Sequence, residues 1–343
     1  MKHLFLLFIG MLFLQIGGMA QDYETAGGYM DVIGKQQENI SKKFLAYVSA
    51  SAHGKRARKV ENLRSKLLDE VQDARMNIGS MPAFKGDKSY RDTTVSFMKL
   101  YYNVLNEDYS KIINMEDIAE QSYDDMEAYL MAKEMVDKKL EEGNLLMKTA
   151  QQNFAAKNNI ILNADKSELG DMMKEVHEMN IYYHQVYLVF FRPFKQETYM
   201  MEAMDKNNIT GIEQNKNSLL KYAQSGLEKL PSIKPFEGDN SLAVACKGML
   251  NFYVMEVNEK MNAVSEYYLV KERFEAIKKE YENKSNHTQA DVDAYNKSVN
   301  DMNKAGTAAN ETNKMLNEKR HDLLNDWNDA VNNFFNEHTP HYK

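Results

Sequence analysis

The residues with the greatest potential for chemistry in this sequence are eight histidines, one cysteine and 23 methionines. Glu318-x-x-His321 has the spacing of half a carboxylate-bridged di-iron site, but such a site needs a second pair and two further glutamates, and no second Glu-x-x-His occurs. His177 and His184 would lie about 10 Å apart along a helix, too far to share one ion. The sequence therefore predicts no bound metal and no other cofactor.

The cysteine and the methionines have the pattern of core residues. Cys246 follows the small residues Ala243-Val-Ala245, which favours a buried side chain over a reactive thiol. The methionines recur at core spacing among leucines and phenylalanines, which favours core packing over soft-metal binding. Because hydrolase, phosphate-binding and zinc-protease motifs are also absent, the sequence predicts a protein without catalytic residues.

An aromatic stretch between residues 182 and 199 includes Tyr183, Tyr187 and Phe191, spaced four apart. In a helix this spacing places the three rings on one face. They could line a pocket for a small apolar ligand, and a buried central helix would account for them equally well. The following Arg192-Pro193 predicts a kink or a break.

Four asparagines lie seven apart in the last predicted helix, at Asn296, Asn303, Asn310 and Asn317. Seven-residue spacing keeps them on one face, beside an apolar seam. They could bond to a neighbouring helix or line a groove that accepts a partner's helix or a glycan. Asn313 and Arg320 interrupt the seam itself, so we expect them to set the helix register.

Good helix formers dominate the intervals between five prolines and sixteen glycines, and strand-like alternation is absent. The sequence predicts helices at about 23–51, 57–79, 89–112, 115–157, 166–205, 210–229, 240–282 and 288–336. Several of these are long and carry a narrow apolar seam. We therefore expect an all-α fold, an elongated helical bundle with coiled-coil-like packing.

One short motif occurs twice. Phe84-Lys-Gly86-Asp87-Lys-Ser89 returns 152 residues later as Phe236-Glu-Gly238-Asp239-Asn-Ser241, and matched apolar positions follow at the same offset. Each motif is predicted to be a loop that enters a helix and is held by its phenylalanine. The offset predicts two tandem related copies, at 21–157 and 167–343, joined by a connector at 158–166.

The first twenty residues resemble a secretory signal, with a basic start, an apolar run from Leu4 to Leu14 and small residues at Gly18 and Ala20. The expectation is export to the periplasm or cell surface, with no transmembrane span after signal removal. The net charge of -7 argues against nucleic acid as a partner, because binding to phosphates needs clustered basic residues.

The C-terminal segment Arg320-His-Asp-Leu-Leu-Asn-Asp-Trp327, with Phe334-Phe335 and His338-Thr-Pro340, resembles the ending of an exported helical surface-protein family of bacteria with no assigned activity. Ala150-Gln-Gln-Asn-Phe154 is similar to the same family's first copy. The resemblance implies a location in the cell envelope. We expect a non-enzymatic protein that binds or scaffolds an unknown envelope protein or glycan; the alternative is a periplasmic carrier of a small apolar ligand or metal.

Overall fold

The computed structural model describes residues 23–53, 56–108, 119, 121–162 and 168–342. The predicted signal and part of the predicted connector lie outside the described residues. Within them the fold is all-α, without a strand, and its helices pack against one another, as predicted. None of these helices combines the length and the apolar composition that a membrane crossing requires.

The helices of the described residues follow the predicted intervals within a few residues, except that the helix predicted at about 115–157 begins only at Tyr123. They are α1 (Ala26–Ala52), α2 (Ala57–Gly79), α3 (Ser89–Asn103), α4 (Tyr123–Lys157), α5 (Glu168–Asp205), α6 (Ile209–Lys229), α7 (Ser241–Met255), α8 (Met261–Glu282) and α9 (Gln289–His338). Two π-helical segments, Val104–Asp108 and Glu256–Lys260, directly follow α3 and α7 and were not predicted. Pro193 does not break α5, which continues through it.

The chain divides into two compact units. The first contains residues up to Ile181 together with those from Asn333 onward, and the second contains Tyr182–Asn332. These two units are defined by which residues pack together. The predicted boundaries at 157 and 167 are defined instead by the repeated motif in the sequence.

An aromatic cluster forms part of the core of the first unit. Phe84 lies with its ring centroid 5.4 Å from that of Tyr29 on α1 and 5.3 Å from that of Phe154 on α4. Tyr90 on α3 packs against the same Phe154 ring, and all four side chains are buried. Burial of such rings contributes strongly to folding, since each removes a large apolar area from water. The predicted anchoring of the loop by its phenylalanine is confirmed here.

The two repeated loops have the same backbone geometry. In the first, Lys85 and Gly86 have φ angles of 49° and 83°; in the second, Glu237 and Gly238 have 49° and 85°. Positive φ at two successive residues defines a type I′ turn, which favours glycine. Each turn closes with a bridge, between Phe84 and Asp87 and between Phe236 and Asp239.

The aspartate of each loop also caps the helix that follows. Asp87 Oδ1 accepts a hydrogen bond from the Ser89 backbone N–H at 2.9 Å, and Asp239 Oδ1 accepts one from Ser241 at 2.8 Å. Each carboxylate thereby satisfies a backbone donor at a helix start that would otherwise lack a partner.

Element boundaries recur at the same offset of 152 residues. Helices α2 and α6 begin at Ala57 and Ile209, and α3 and α7 have the same length. The π-helical segments begin at Val104 and Glu256. This recurrence of local structure is what duplication predicts, and the common origin of the two copies stays a prediction.

Candidate functional site

A cluster of three ionisable side chains, two of them almost fully buried, lies within the second unit. Arg320 on α9 donates from Nε to Glu197 Oε1 on α5 at 2.6 Å. Its Nη2 donates to Glu256 Oε1 at 2.7 Å, and its Nη1 donates to Asn317 Oδ1. Glu197 is 2% exposed and Glu256 is 1% exposed. Ions are placed at such depth only where they are paired, since loss of water is otherwise costly.

Each member of the cluster comes from a different element. Glu197 lies in the second half of α5, after the aromatic stretch, and Glu256 is the first residue of the second π-helical segment. Glu256 follows Phe252 by four residues and Tyr253 by three, so it shares their buried face. Local π-helical turns within helices occur frequently at functional sites.

The positions 152 residues before the two glutamates carry apolar residues. Val104 begins the first π-helical segment and is fully buried. Glu256 begins the second and is almost fully buried. Continued upstream at the same offset, Leu45 corresponds to Glu197 and is also buried. A buried apolar residue thus lies 152 positions before each of the two carboxylates.

One guanidinium cannot neutralise two buried carboxylates. Burial, together with the charge of Glu197, raises the pKa of Glu256 to about 9. Burial also raises the pKa of Glu197, although Arg320 opposes this rise. At neutral pH the two carboxyl groups therefore hold one proton between them, and the cluster consists of one cation, one anion and one neutral acid.

A protonated Glu256 also explains its second oxygen. Oε2 is buried and receives no N–H or O–H hydrogen bond from the described residues. The Glu256 carboxyl group, when protonated, can donate a hydrogen bond to the neighbouring Glu197 carboxylate. Tyr253, fully buried on α7, lies next to the pair, and its pKa is raised well above the ordinary value by burial and by the two carboxylates.

A pocket of about 210 Å³ opens above this cluster. Four methionines on α5 and α8 form its apolar part, and three residues of α9 contribute amide and guanidinium groups. The lining residues are Met200, Met201, Met204, Asp205, Glu256, Met261, Tyr268, Asn313, Asn317 and Arg320. The pocket thus combines an adaptable thioether surface with hydrogen-bonding groups, a combination suited to small-molecule binding.

The aromatic residues proposed for an apolar ligand lie in the core of the second unit. Tyr183, Tyr187 and Phe191 are all buried, and their rings stack in series with centroids 5.5 and 5.6 Å apart. Nearby, Phe190 stacks on Trp327 of α9 at 4.2 Å. The three rings do not line the pocket above Glu256.

The four asparagines all lie exposed on α9. Within the described residues no hydrogen bond joins the side chains of Asn296, Asn303 or Asn310 to another helix. Asn317 reaches the pocket and accepts from Arg320. The row is therefore divided: one end belongs to the site, and the rest faces solvent.

Sequence reasoning found part of this site. It identified Arg320 and Asn313 as polar residues within the apolar seam, and the structure places both in the pocket lining. It did not identify Glu197 or Glu256. The available signal was the repeat, because Glu256 replaces Val104 at a position with apolar neighbours. The prediction for Cys246 is confirmed, since it is buried and its thiol pKa is raised to about 12 by burial.

Comparison of the chain with protein-family models, with curated proteins and with solved structures finds no match.

Proposed function

We propose that this chain is an exported, non-enzymatic binding protein of the cell envelope, and that it holds a small ligand in the pocket above Glu256 and Arg320. The observation that carries the proposal is the position of a paired, buried guanidinium at a pocket with a methionine surface. Buried charge at a concave site is a common feature of ligand recognition. The signal-like first twenty residues and the family resemblance support an envelope location.

The state of the two carboxylates supports binding over catalysis. Both accept from the same guanidinium and both are almost fully buried. A general acid or base must reach the proton that it transfers, within hydrogen-bonding distance of the substrate. Oε1 of each glutamate accepts a hydrogen bond from Arg320, which suits a fixed electrostatic role beside a bound ligand.

The charge of the pocket disfavours a metal as its ligand. Thioethers bind soft ions such as Cu(I), and four methionines line the pocket. However, Arg320 lines the same pocket, and its positive charge opposes a second cation nearby. A small organic ligand is consistent with both the methionines and the arginine.

Native mass spectrometry of the chain purified from its own envelope fraction tests this proposal. The wild type should carry a small molecule that the pocket-filling variant Met204→Trp lacks. Val244→Trp is the matched control, because Val244 is an exposed apolar residue outside the pocket lining. Equal ligand occupancy in wild type and Met204→Trp, or its absence from both, would count against the pocket as the binding site.

A second candidate function is scaffolding through the exposed asparagines of α9. Asn296, Asn303 and Asn310 are exposed at intervals of seven, without bonds to another helix in the described part of the chain. Amide groups donate and accept hydrogen bonds, as sugar hydroxyls do, and the row has no apolar anchors of the kind a partner helix needs. This favours a glycan over a helix as the occupant.

A further inference from the structure

We infer that the pocket binds a small amphiphilic carboxylate, with its apolar body against the methionines and its carboxylate on Arg320 and the asparagine amides. The inference rests on the proposed function, since it names the ligand class of the same pocket. It is carried by the unused donors of the arginine, by the donors beside them and by the size of the apolar part.

Arg320 has donors left over after its protein contacts. A guanidinium carries five N–H groups, and three are used, one each by Glu197, Glu256 and Asn317. Because each terminal nitrogen has two N–H groups and donates one, each retains one. Adjacent terminal nitrogens match the two oxygens of a carboxylate. The Arg320 side chain is 12% exposed, which leaves these groups within reach of the pocket.

Two amides of α9 extend this donor surface. Asn317 uses its oxygen to accept from Arg320, so its NH₂ group remains available as a donor. Asn313 lines the pocket one turn earlier on the same face of the helix. Three successive positions on α9, each separated by about one turn, thus present N–H donors to one side of the pocket.

The charged groups around the pocket limit the charge that the head group of the ligand can carry. With one proton held by the Glu197 and Glu256 pair, their cluster with Arg320 is neutral overall, so a ligand head group meets the N–H donors of α9 without a net negative charge opposing it. A ligand ammonium would meet the guanidinium. Asp205, the other lining carboxylate, is exposed, and solvent screens its charge.

The volume limits the apolar body. A cavity of about 150 Å³ accommodates benzene, so about 210 Å³ suits a six-carbon chain or one ring with a carboxylate. Methionine side chains adapt to either shape because they are unbranched and flexible. Hexanoate, hexanamide and hexylammonium therefore form a matched series of probes that differ mainly in the head group.

The experiment titrates the intact chain, labelled with ¹³C at the methionine methyl groups, with each probe in turn. We expect hexanoate to shift the resonances of Met200, Met204 and Met261, with hexanamide binding about tenfold more weakly and hexylammonium not binding. Assignment uses single Met→Leu variants.

Two substitutions locate the binding. Asn317→Leu should weaken hexanoate about tenfold while binding of hexanamide changes less, and Asn310→Ala, exposed on the same helix, should leave both unchanged. Equal affinity for hexanoate and hexanamide, or tighter binding of hexylammonium, would overturn the carboxylate class while leaving the pocket as a ligand site. If none of the probes moves a pocket methyl resonance, the inference fails together with the proposed site.

Discussion

Glu256 and Val104 begin two π-helical segments that are 152 residues apart, and both side chains are buried. The valine needs no partner, whereas the glutamic acid requires Arg320 and shares a proton with Glu197. A buried polar cluster seldom stabilises a fold more than apolar packing does. The buried cluster is therefore better explained by the ligand-binding role proposed above than by stabilisation of the fold.

Substitution Glu256→Gln should change how stability depends on pH. Glu256 has a pKa of about 9 when folded and an ordinary value of 4.5 when unfolded. Between these values the folded chain binds more protons, so the free energy of unfolding falls as pH rises. The glutamine amide of the variant does not titrate, so the variant does not lose stability in this way. Urea denaturation at pH 5, 7 and 9 should show that the free energy of unfolding of the variant increases relative to that of the wild type as pH increases.

The matched control for this substitution is Glu259→Gln, in the same π-helical segment but exposed. Its difference from the wild type should be small and independent of pH, because solvent screens the lost charge. A difference between Glu256→Gln and the wild type that stays constant from pH 5 to 9 would mean that Glu256 is not protonated in the folded chain.

The helices were predictable because their signals are local. Composition and three-to-four spacing of apolar residues extend over tens of residues, and glycine, proline and capping residues mark many of the ends. The π-helical segments were not predictable in this way. The composition of Val104-Leu-Asn-Glu and of Glu256-Val-Asn-Glu is that of an ordinary α-helix. A π-helical turn differs from an α-helical turn in its hydrogen bonding and needs no particular residue types.

The site was only half predictable because its pairing is tertiary. Arg320 attracts notice as a charge within an apolar seam, but Glu197 lies 123 residues away and belongs to a chain with 50 acidic residues. Nothing local distinguishes it from a surface glutamate. The predicted repeat supplies a further constraint, because a position that is apolar at one end of the 152-residue offset is expected to be buried at the other.

Alanine at Gly86 should destabilise the chain through backbone strain alone. Gly86 has a φ of 83°, and a Cβ there would meet no atom within 4 Å. Left-handed backbone costs non-glycine residues about 1 to 2 kcal/mol, so Gly86→Ala should lower the free energy of unfolding by about that amount. Gly27→Ala is the control, since that helical site is equally open and has no positive φ. A lower melting temperature for Gly27→Ala than for Gly86→Ala would contradict this account.

Replacement of Asn303 and Asn310 together by alanine should leave the bundle folded. Both side chains are exposed, and alanine is the better helix former, so we expect a stability change below about 1 kcal/mol. Circular dichroism melting measures this. If the doubly substituted chain retains an envelope glycan as well as the wild type does, the asparagine row is not the glycan-binding surface.

Export predicts a defined mature terminus. Cleavage after Ala20 would leave Gln21 first, because Gly18 and Ala20 are the small residues that a signal peptidase requires. Mass spectrometry of the protein from its native host should find this terminus in the envelope fraction. Recovery of chains that retain Leu4 to Leu14 would argue against export by this route.

Substitutions at the charged cluster should show strong non-additivity. Arg320→Met leaves two buried carboxyl groups without their cation, and breaking a buried ion pair costs about 3 to 5 kcal/mol. The triple variant Glu197→Leu, Glu256→Val and Arg320→Met reproduces the apolar residues of the first copy at the two acidic positions, Leu45 and Val104. It should recover most of the lost stability or exceed the wild type, since apolar replacement of a buried triad is often neutral or favourable.

Urea denaturation of the wild type, the single variant and the triple variant at pH 7 measures this coupling. A change at Lys319, exposed next to Arg320 on α9, gives the control: Lys319→Met should alter stability by less than about 0.5 kcal/mol. A triple variant that is less stable than Arg320→Met would mean that the cluster is retained for folding. If the triple variant recovers stability but no longer binds hexanoate, the cluster serves ligand recognition, because this variant keeps the packing and lacks only the ionisable groups.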